Sequence, residues 1–132
     1  MLETVYILQN GKKLNAGQFK KYLYKKIEKT AKKFGKKFDL NKTNQIYCLD
    51  DASIDIIYSL MSGKKAIVRK TPFLFCLKKE LELYSKLKNL KFKFIEYSGL
   101  KLKVSNMLDE LEKRHKEIKY SVVRAHFQMF KS

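Results

Sequence analysis

Proline and glycine are scarce in this sequence, which contains one proline and five glycines among 132 residues. Long irregular loops and interdomain linkers are usually richer in both residues. Their scarcity predicts short connections and excludes an obvious linker between two domains. The length also fits one domain, so we expect a single basic α/β domain over residues 1–132.

Cysteines and long apolar runs are scarce as well. The two cysteines, Cys48 and Cys76, form neither a CxxC motif nor a disulfide framework. There is no signal peptide and no apolar run of about eighteen residues. These features predict a cytoplasmic protein without a membrane span.

Acidic residues are outnumbered, since thirteen Asp and Glu face thirty Lys and Arg and the net charge is +17. Such a field attracts polyanions, and nucleic acid is the commonest of them. Only Arg69, Arg114 and Arg124 are arginines. Lysine acts as a point charge, whereas arginine reads guanine, so this composition favours phosphate contacts over base recognition. An anionic membrane surface and a merely solvated basic face are the alternatives.

Apolar periodicity predicts five helices separated by short strands. Phe19, Leu23 and Ile27 belong to a stripe with helical spacing over residues 18–34. Four further stripes lie at residues 54–61, 77–87, 104–111 and 120–130, and strands are predicted at 4–8, 45–48, 66–69 and 91–97. Strands that alternate with helices favour an α/β fold with a mainly parallel sheet.

No complete catalytic or metal-binding motif is present. The sequence contains no glycine-rich phosphate loop, and His115 and His126 lie in different predicted helices without a partner at metal-ligand spacing. Cys48 and Cys76 lie in apolar surroundings, where we expect buried, inert thiols. We therefore predict no metal and no cofactor.

Adjacent carboxylates at Asp50 and Asp51 are the strongest candidate for chemistry. At a turn from strand to helix they could hold Mg²⁺ beside a nucleotide. Alternatively, one caps the helix and the other is solvated.

Several segments match one known family in order and spacing. Lys20-Lys21-Tyr22-Leu23 stands where that family has R-R-Y-L, and Leu49-Asp50-Asp51-Ala52 stands where it has L-D-D-E-A. Leu60-Met61-Ser62-Gly63, Arg69-Lys70-Thr71-Pro72 and Leu111-Glu112-Lys113-Arg114-His115 continue the pattern.

From residue 16 to 130 the chain resembles the C-terminal half of the tRNA-thiolating ATP-pyrophosphatases, the PP-loop enzymes that make 2-thiouridine or 2-thiocytidine. The resemblance implies a small Rossmann-like (adenine nucleotide alpha hydrolase-like) layer: a short, mainly parallel sheet with about five helices, its first βα units missing.

Departures from the family concern its chemistry. The positions of the three family cysteines fall at Lys13, Ala16 and Ile95, and the pyrophosphate loop would precede residue 1. The matching signature residues are Asp50, Asp51, Gly63 and Pro72. The resemblance therefore implies a non-catalytic remnant that binds tRNA or another structured RNA. The alternatives are a structural subunit, paired with a full-length thiolase or with itself, and half of a split enzyme whose site Asp50 and Asp51 complete.

Two groups of basic residues are the predicted RNA contacts. The first lies on and after the first helix: Lys20, Lys21, Lys25, Lys29, Lys32, Lys33, Lys36 and Lys37. The second lies beside the edge that would correspond to the family's active site: Lys64, Lys65, Arg69 and Lys70. For the first group the alternative is an ordinary solvated helix face.

We expect the purified protein to contain neither an iron–sulfur cluster nor zinc. All three positions that carry family cysteines lack a thiol, and thiolate is the ligand both groups require there. Metal analysis after anaerobic purification checks this expectation. Stoichiometric iron or zinc would contradict it.

Overall fold

A computed structural model of the chain describes residues 6–7, 12–33, 45–69 and 71–130. Within those ranges lie five α-helices and two strands of two residues each. The strands are β1 (Tyr6–Ile7) and β2 (Lys13–Leu14). The helices are α1 (Ala16–Lys33), α2 (Leu49–Ser62), α3 (Lys78–Leu87), α4 (Gly99–Arg114) and α5 (Ile118–Met129).

The helices lie where apolar periodicity predicts them. Leu23 and Ile27 of α1, Leu81 of α3 and Val123 of α5 have no exposed surface. The end of α2 follows the sequence as well. Gly63 adopts a left-handed conformation with φ of 72°, which glycine tolerates without a Cβ penalty, and it terminates that helix.

The predicted α/β fold is wrong, because the described residues form no Rossmann-like parallel sheet. β1 and β2 pair antiparallel, with Tyr6 opposite Leu14. The only parallel pairing in the described ranges is a single bridge between Ile46 and Phe94. Segments 45–48 and 91–97, predicted as strands, thus contribute one residue each to a sheet-like contact.

Beyond the bridge at Ile46, the backbone around Tyr47 finds partners outside any sheet, which explains why the pairing extends no further. The hydroxyl of Thr71 donates to the carbonyl oxygen of Tyr47 at 2.7 Å. The N–H of Leu49 donates to the carbonyl oxygen of Cys76 at 3.0 Å. A turn and the adjoining segment therefore satisfy groups that a neighbouring strand would have paired.

Helix α2 lies at the centre of the packing, against both α4 and α5, whereas α1 packs on α3. One buried cluster joins Leu23 and Ile27 of α1 to Leu81 and Tyr84 of α3. A second cluster joins α2 to α5 through Val123, and a third joins α2 to α4. The fold is thus a helical assembly in which α2, α4 and α5 pack together and α1 packs on α3.

Three helices begin with the same device, in which a side chain in the first turn accepts the N–H of the residue before the helix. Gln18 Oε1 accepts from Asn15 N at 3.0 Å, and Asn15 Oδ1 accepts in return from Gln18 N. Asp51 Oδ2 accepts from Cys48 N at 2.8 Å, and Glu80 Oε1 accepts from Leu77 N at 2.9 Å. These bonds satisfy donors that helix geometry leaves without partners.

Both thiols are buried, as the sequence predicts. Burial raises the pKa of the Cys76 thiol to about 12. Burial, together with the charges of Asp51 and Asp50, also raises the pKa of the Cys48 thiol. Neither residue therefore presents a thiolate at neutral pH.

We expect both cysteines to react with a water-soluble disulfide reagent only after the chain unfolds. In the folded protein, the reaction should be at least about a hundredfold slower than that of an exposed thiol, because it requires local opening. A Lys116→Cys variant supplies the exposed control thiol. Rapid labelling of Cys48 or Cys76 at the rate of the control would contradict their burial.

Candidate nucleic-acid interface

Four lysines form a stripe along the solvent side of α1. Lys21, Lys25, Lys29 and Lys32 are all exposed, and their spacings of four, four and three residues place them on one helix face. Leu23 and Ile27, which are fully buried, hold the opposite face against α3. We call these four lysines the lysine stripe.

An open groove of about 390 Å³ continues the lysine stripe beyond the start of α1. Lys12 and Lys13 line it together with Lys21 and Lys25. The pairing of β2 with β1 and the reciprocal Asn15–Gln18 hydrogen bonds fix this approach to the helix. Lys12 and Lys13 were not among the contacts predicted from sequence, because they precede the helix whose periodicity identified the others.

Two other cations of α1 lie off the stripe. Lys26 Nζ forms an ion pair with the buried carboxylate of Glu80 at 3.0 Å. Lys20, a predicted contact, is exposed and its Nζ lies 5.6 Å from the centre of the Tyr24 ring. Lys26 therefore joins α1 to α3, whereas Lys20 can still reach a ligand beside the stripe.

The acidic residue of α1, Glu28, has its contacts with α3 and the residue that follows it. Glu28 accepts a hydrogen bond from the Tyr84 hydroxyl at 3.2 Å and lies 3.5 Å from Lys88 Nζ. Both contacts direct its carboxylate toward the side of α3. The Glu28 carboxylate thus contacts α3, although Glu28 is only three and four residues from Lys25 and Lys32 along α1.

The remaining predicted contacts lie at the end of α1, after α2 or outside the described residues. Lys33 is the last residue of α1, and Lys36, Lys37 and Lys70 lie outside the described residues. Lys64, Lys65 and Arg69 are exposed in the segment after α2. Lys65 lines a second open groove, of about 760 Å³, whose other wall is formed largely by α5.

Aromatic and basic residues of α5 form a part of the second groove that the sequence did not reveal. Tyr120, Arg124, Phe127 and Phe130 line it opposite Lys65. The stripe that predicted α5 includes three of these residues, but only Val123 of that stripe is fully buried. An aromatic residue at helical spacing does not by itself reveal whether a neighbouring element covers it.

Asp51 has a structural role. Its carboxylate is buried, accepts hydrogen bonds from Cys48 N and from the Tyr97 hydroxyl, and caps α2. Burial raises the pKa of Asp51, and the hydrogen bonds from Tyr97 and Cys48 lower it in part. Asp51 therefore supports the start of α2 from its third position, whereas Cys48 holds the N-cap position predicted for one of the two aspartates.

Asp50 also has hydrogen-bond partners, although the capping interpretation expected the second carboxylate of the pair to be solvated. Its Oδ1 accepts from Lys78 N at 2.9 Å, and its Oδ2 lies 2.7 Å from Lys119 Nζ. Lys119 is 4 % exposed and also contacts Asp109 at 2.7 Å and Glu112 at 3.7 Å. An ammonium group thus occupies the place beside Asp50 that a bound cation would need.

The pKa of Lys119 reflects this environment. Burial by itself lowers the pKa, but the charges of Asp50 and Glu112 and the hydrogen bonds to Asp109 and Asp50 raise it above the ordinary lysine value. The residue is therefore an ammonium ion throughout the neutral range. Its three acidic partners come from α2 and α4, so the ion holds both helices to α5.

Neither a metal site nor a membrane span is found in the described part of the chain. There, no group of three His, Cys, Asp or Glu side chains is placed to hold a metal ion. None of the helices in those ranges is both long and apolar enough to cross a membrane.

The other two residues that match the thiolase family lie at the end of a helix and in a turn. Gly63 ends α2, and Pro72 is buried in the turn that follows Thr71. Comparison of the chain with protein-family models, curated proteins and solved structures found no match. The resemblance to the tRNA thiolases stays a prediction, and the parallel sheet it implied is absent from the described residues.

We expect Lys119→Met to lower the free energy of unfolding by about 3 kcal/mol, because it leaves partly buried carboxylates without their counterion. Urea unfolding followed by circular dichroism measures this loss. The pKa of Lys119 is higher in the folded than in the unfolded chain. Its contribution should therefore be constant from neutral pH to about pH 10 and disappear only above the folded-state pKa.

The matched control is Lys113→Met, which breaks the exposed Lys113–Glu110 pair and should leave the free energy of unfolding nearly unchanged. Equal losses in the two variants would show that the Lys119 cluster does not stabilise the fold.

Proposed function

We propose that the protein binds RNA without catalysis and that the lysine stripe contacts the phosphates. The observation that supports this function is the alignment of Lys21, Lys25, Lys29 and Lys32 on one exposed face, with Lys12 and Lys13 in the adjoining groove. All six are lysines, which attract phosphates as point charges and carry little base specificity. This charge pattern favours a ligand with a phosphate backbone.

The dimensions of the stripe suit a nucleic-acid backbone. From Lys21 to Lys32 the helix rises about 16 Å, at about 1.5 Å per residue. One strand of a B-form DNA duplex presents a phosphate about every 3.4 Å of axis, and the A-form duplex of RNA, which rises less per base pair, presents its phosphates somewhat more closely. The stripe is therefore long enough to contact several phosphates of one strand.

Mutual repulsion in α1 favours a ligand over a solvated face. Like charges four residues apart destabilise a helix by roughly 0.2–0.5 kcal/mol per pair. Lys21, Lys25 and Lys29 form two such pairs, and Glu28 is directed toward Lys88. A polyanion would relieve this repulsion and the wider repulsion within a chain of net charge +17.

The identity of the RNA depends on a different argument. Transfer RNA is suggested by the resemblance to the thiolases alone, so tRNA is one ligand to compare with other duplex RNAs. A cytoplasmic location belongs to the same proposal. The split-enzyme alternative requires available carboxylates, whereas Asp50 and Asp51 already bind Lys119, Tyr97 and backbone N–H groups.

We expect replacement of Lys21, Lys25, Lys29 and Lys32 together by glutamine to weaken binding to every duplex RNA by a similar factor. A variant that neutralises fewer phosphates releases fewer counterions, so the slope of log affinity against log salt should become shallower by roughly three to four units. Titration of tRNA and of an unrelated RNA hairpin at several salt concentrations measures both effects. Glutamine keeps helix propensity, so circular dichroism should be unchanged.

A variant with the same change in charge controls for a general electrostatic effect. Lys103, Lys113, Arg114 and Lys116 lie on α4 and the turn after it, and α4 packs on α2 and α5. Their joint replacement by glutamine should weaken binding much less. An equal decrease in affinity for both quadruple variants, or affinity independent of salt, would contradict a phosphate site on the lysine stripe.

A further inference from the structure

A continuous row of aromatic rings lines the second groove, between segment 65–68 and α5. Ring centres are 5.7 Å apart for Phe75 and Tyr120 and 6.3 Å apart for Phe75 and Phe127. The row continues from Phe127 to His126 at 5.9 Å and from His126 to Phe130 at 4.9 Å. All five rings line the groove.

Three of these rings are substantially exposed to solvent. Phe75 is 43 % exposed, Phe127 is 38 % exposed and Phe130 is 63 % exposed. Fully buried phenylalanine contributes about 1.5–3 kcal/mol to folding, and much of that is forgone at these positions. Contiguous exposed apolar surface of this kind marks binding sites.

The charge around the groove selects the class of ligand. Lys65 and Arg124 line it, Lys64 precedes it and Arg69 follows it, and all four are exposed. The eleven described residues that line the groove include no Asp or Glu. A second copy of the chain would bring its own +17 charge and be repelled, whereas a polyanion is attracted.

We propose that this groove binds unpaired bases of single-stranded RNA by stacking, with Lys65 and Arg124 placed for the neighbouring phosphates. Bases of any sequence offer a flat π-face to an aromatic ring, and basic residues follow the backbone. The volume of about 760 Å³ lies within the usual range of ligand sites. The inference rests on the proposed RNA-binding function. It adds a preference for unpaired RNA, which the phosphate contacts of the lysine stripe do not distinguish from paired RNA.

Replacing Phe127 and Phe130 together by leucine tests the inference, because leucine keeps an apolar side chain and removes the aromatic face. The probes are a single-stranded oligonucleotide of unstructured sequence, with 2-aminopurine at one position, and a duplex RNA of equal length. We expect affinity for the single strand to fall roughly five- to a hundredfold for each base that no longer stacks. Quenching of 2-aminopurine fluorescence on binding should diminish, and affinity for the duplex should be unchanged.

Further variants separate this inference from the proposed function. Tyr58→Leu removes an aromatic residue from α2 outside the groove and should leave both RNAs bound as before. The quadruple lysine variant should weaken the duplex and leave 2-aminopurine quenching at saturation intact.

Single-strand binding by the double leucine variant at the parent affinity would overturn the groove inference and leave the lysine stripe unaffected. An equal decrease in affinity for both RNAs would also overturn it. Failure of the parent protein to bind either RNA would overturn the proposed function and the inference together. A dimer of the parent that the double variant dissociates would assign the groove to a second copy instead.

Discussion

The carboxylate of Asp50 connects three helices, and the arrangement of the other elements depends on it. Asp50 belongs to α2, its Oδ1 receives the N–H of Lys78 at the start of α3, and its Oδ2 binds the ammonium group of Lys119 in α5. Lys119 also binds Asp109 of α4. Because Asp50 and Lys119 are largely withdrawn from water, each depends on the other for compensation. The ion cluster thereby constrains how α3, α4 and α5 meet α2.

This cluster also affects the charge presented to solvent. Asp50, Asp51, Glu80 and Glu112 have mainly buried side chains or strong interior contacts. Lys119 binds Asp50 and Glu112, and Lys26 binds Glu80. Among the described residues, several carboxylates are thus largely buried, whereas most lysines are exposed. The surface is therefore more one-sidedly basic than the ratio of charged residues in the sequence suggests, which strengthens attraction for a polyanion.

The two candidate surfaces differ in chemistry. The lysine stripe of α1 presents point charges, which suit phosphates of paired or unpaired RNA alike. The groove beside α5 adds five aromatic rings to a few cations, which suits bases that are free of a partner strand. Under the two proposals, an RNA with paired and unpaired regions would engage both surfaces through different interactions, one sensitive to salt and the other dependent on stacking.

The sequence by itself determined the five helices, the end of α2 at Gly63, the burial of both thiols and the exposed lysines of α1. Helical periodicity and capping are local, so Leu23, Ile27 and Gly63 disclose them without knowledge of their neighbours. Only the tertiary structure decided against a parallel sheet, because strand formation depends on a partner, and the backbone near Tyr47 pairs with Thr71 and Cys76 instead. It likewise decided which side of α5 stays uncovered. Phe75 and Lys65 join Phe127 and Phe130 in one groove only through contacts between segments distant in the chain, and no local pattern records such contacts.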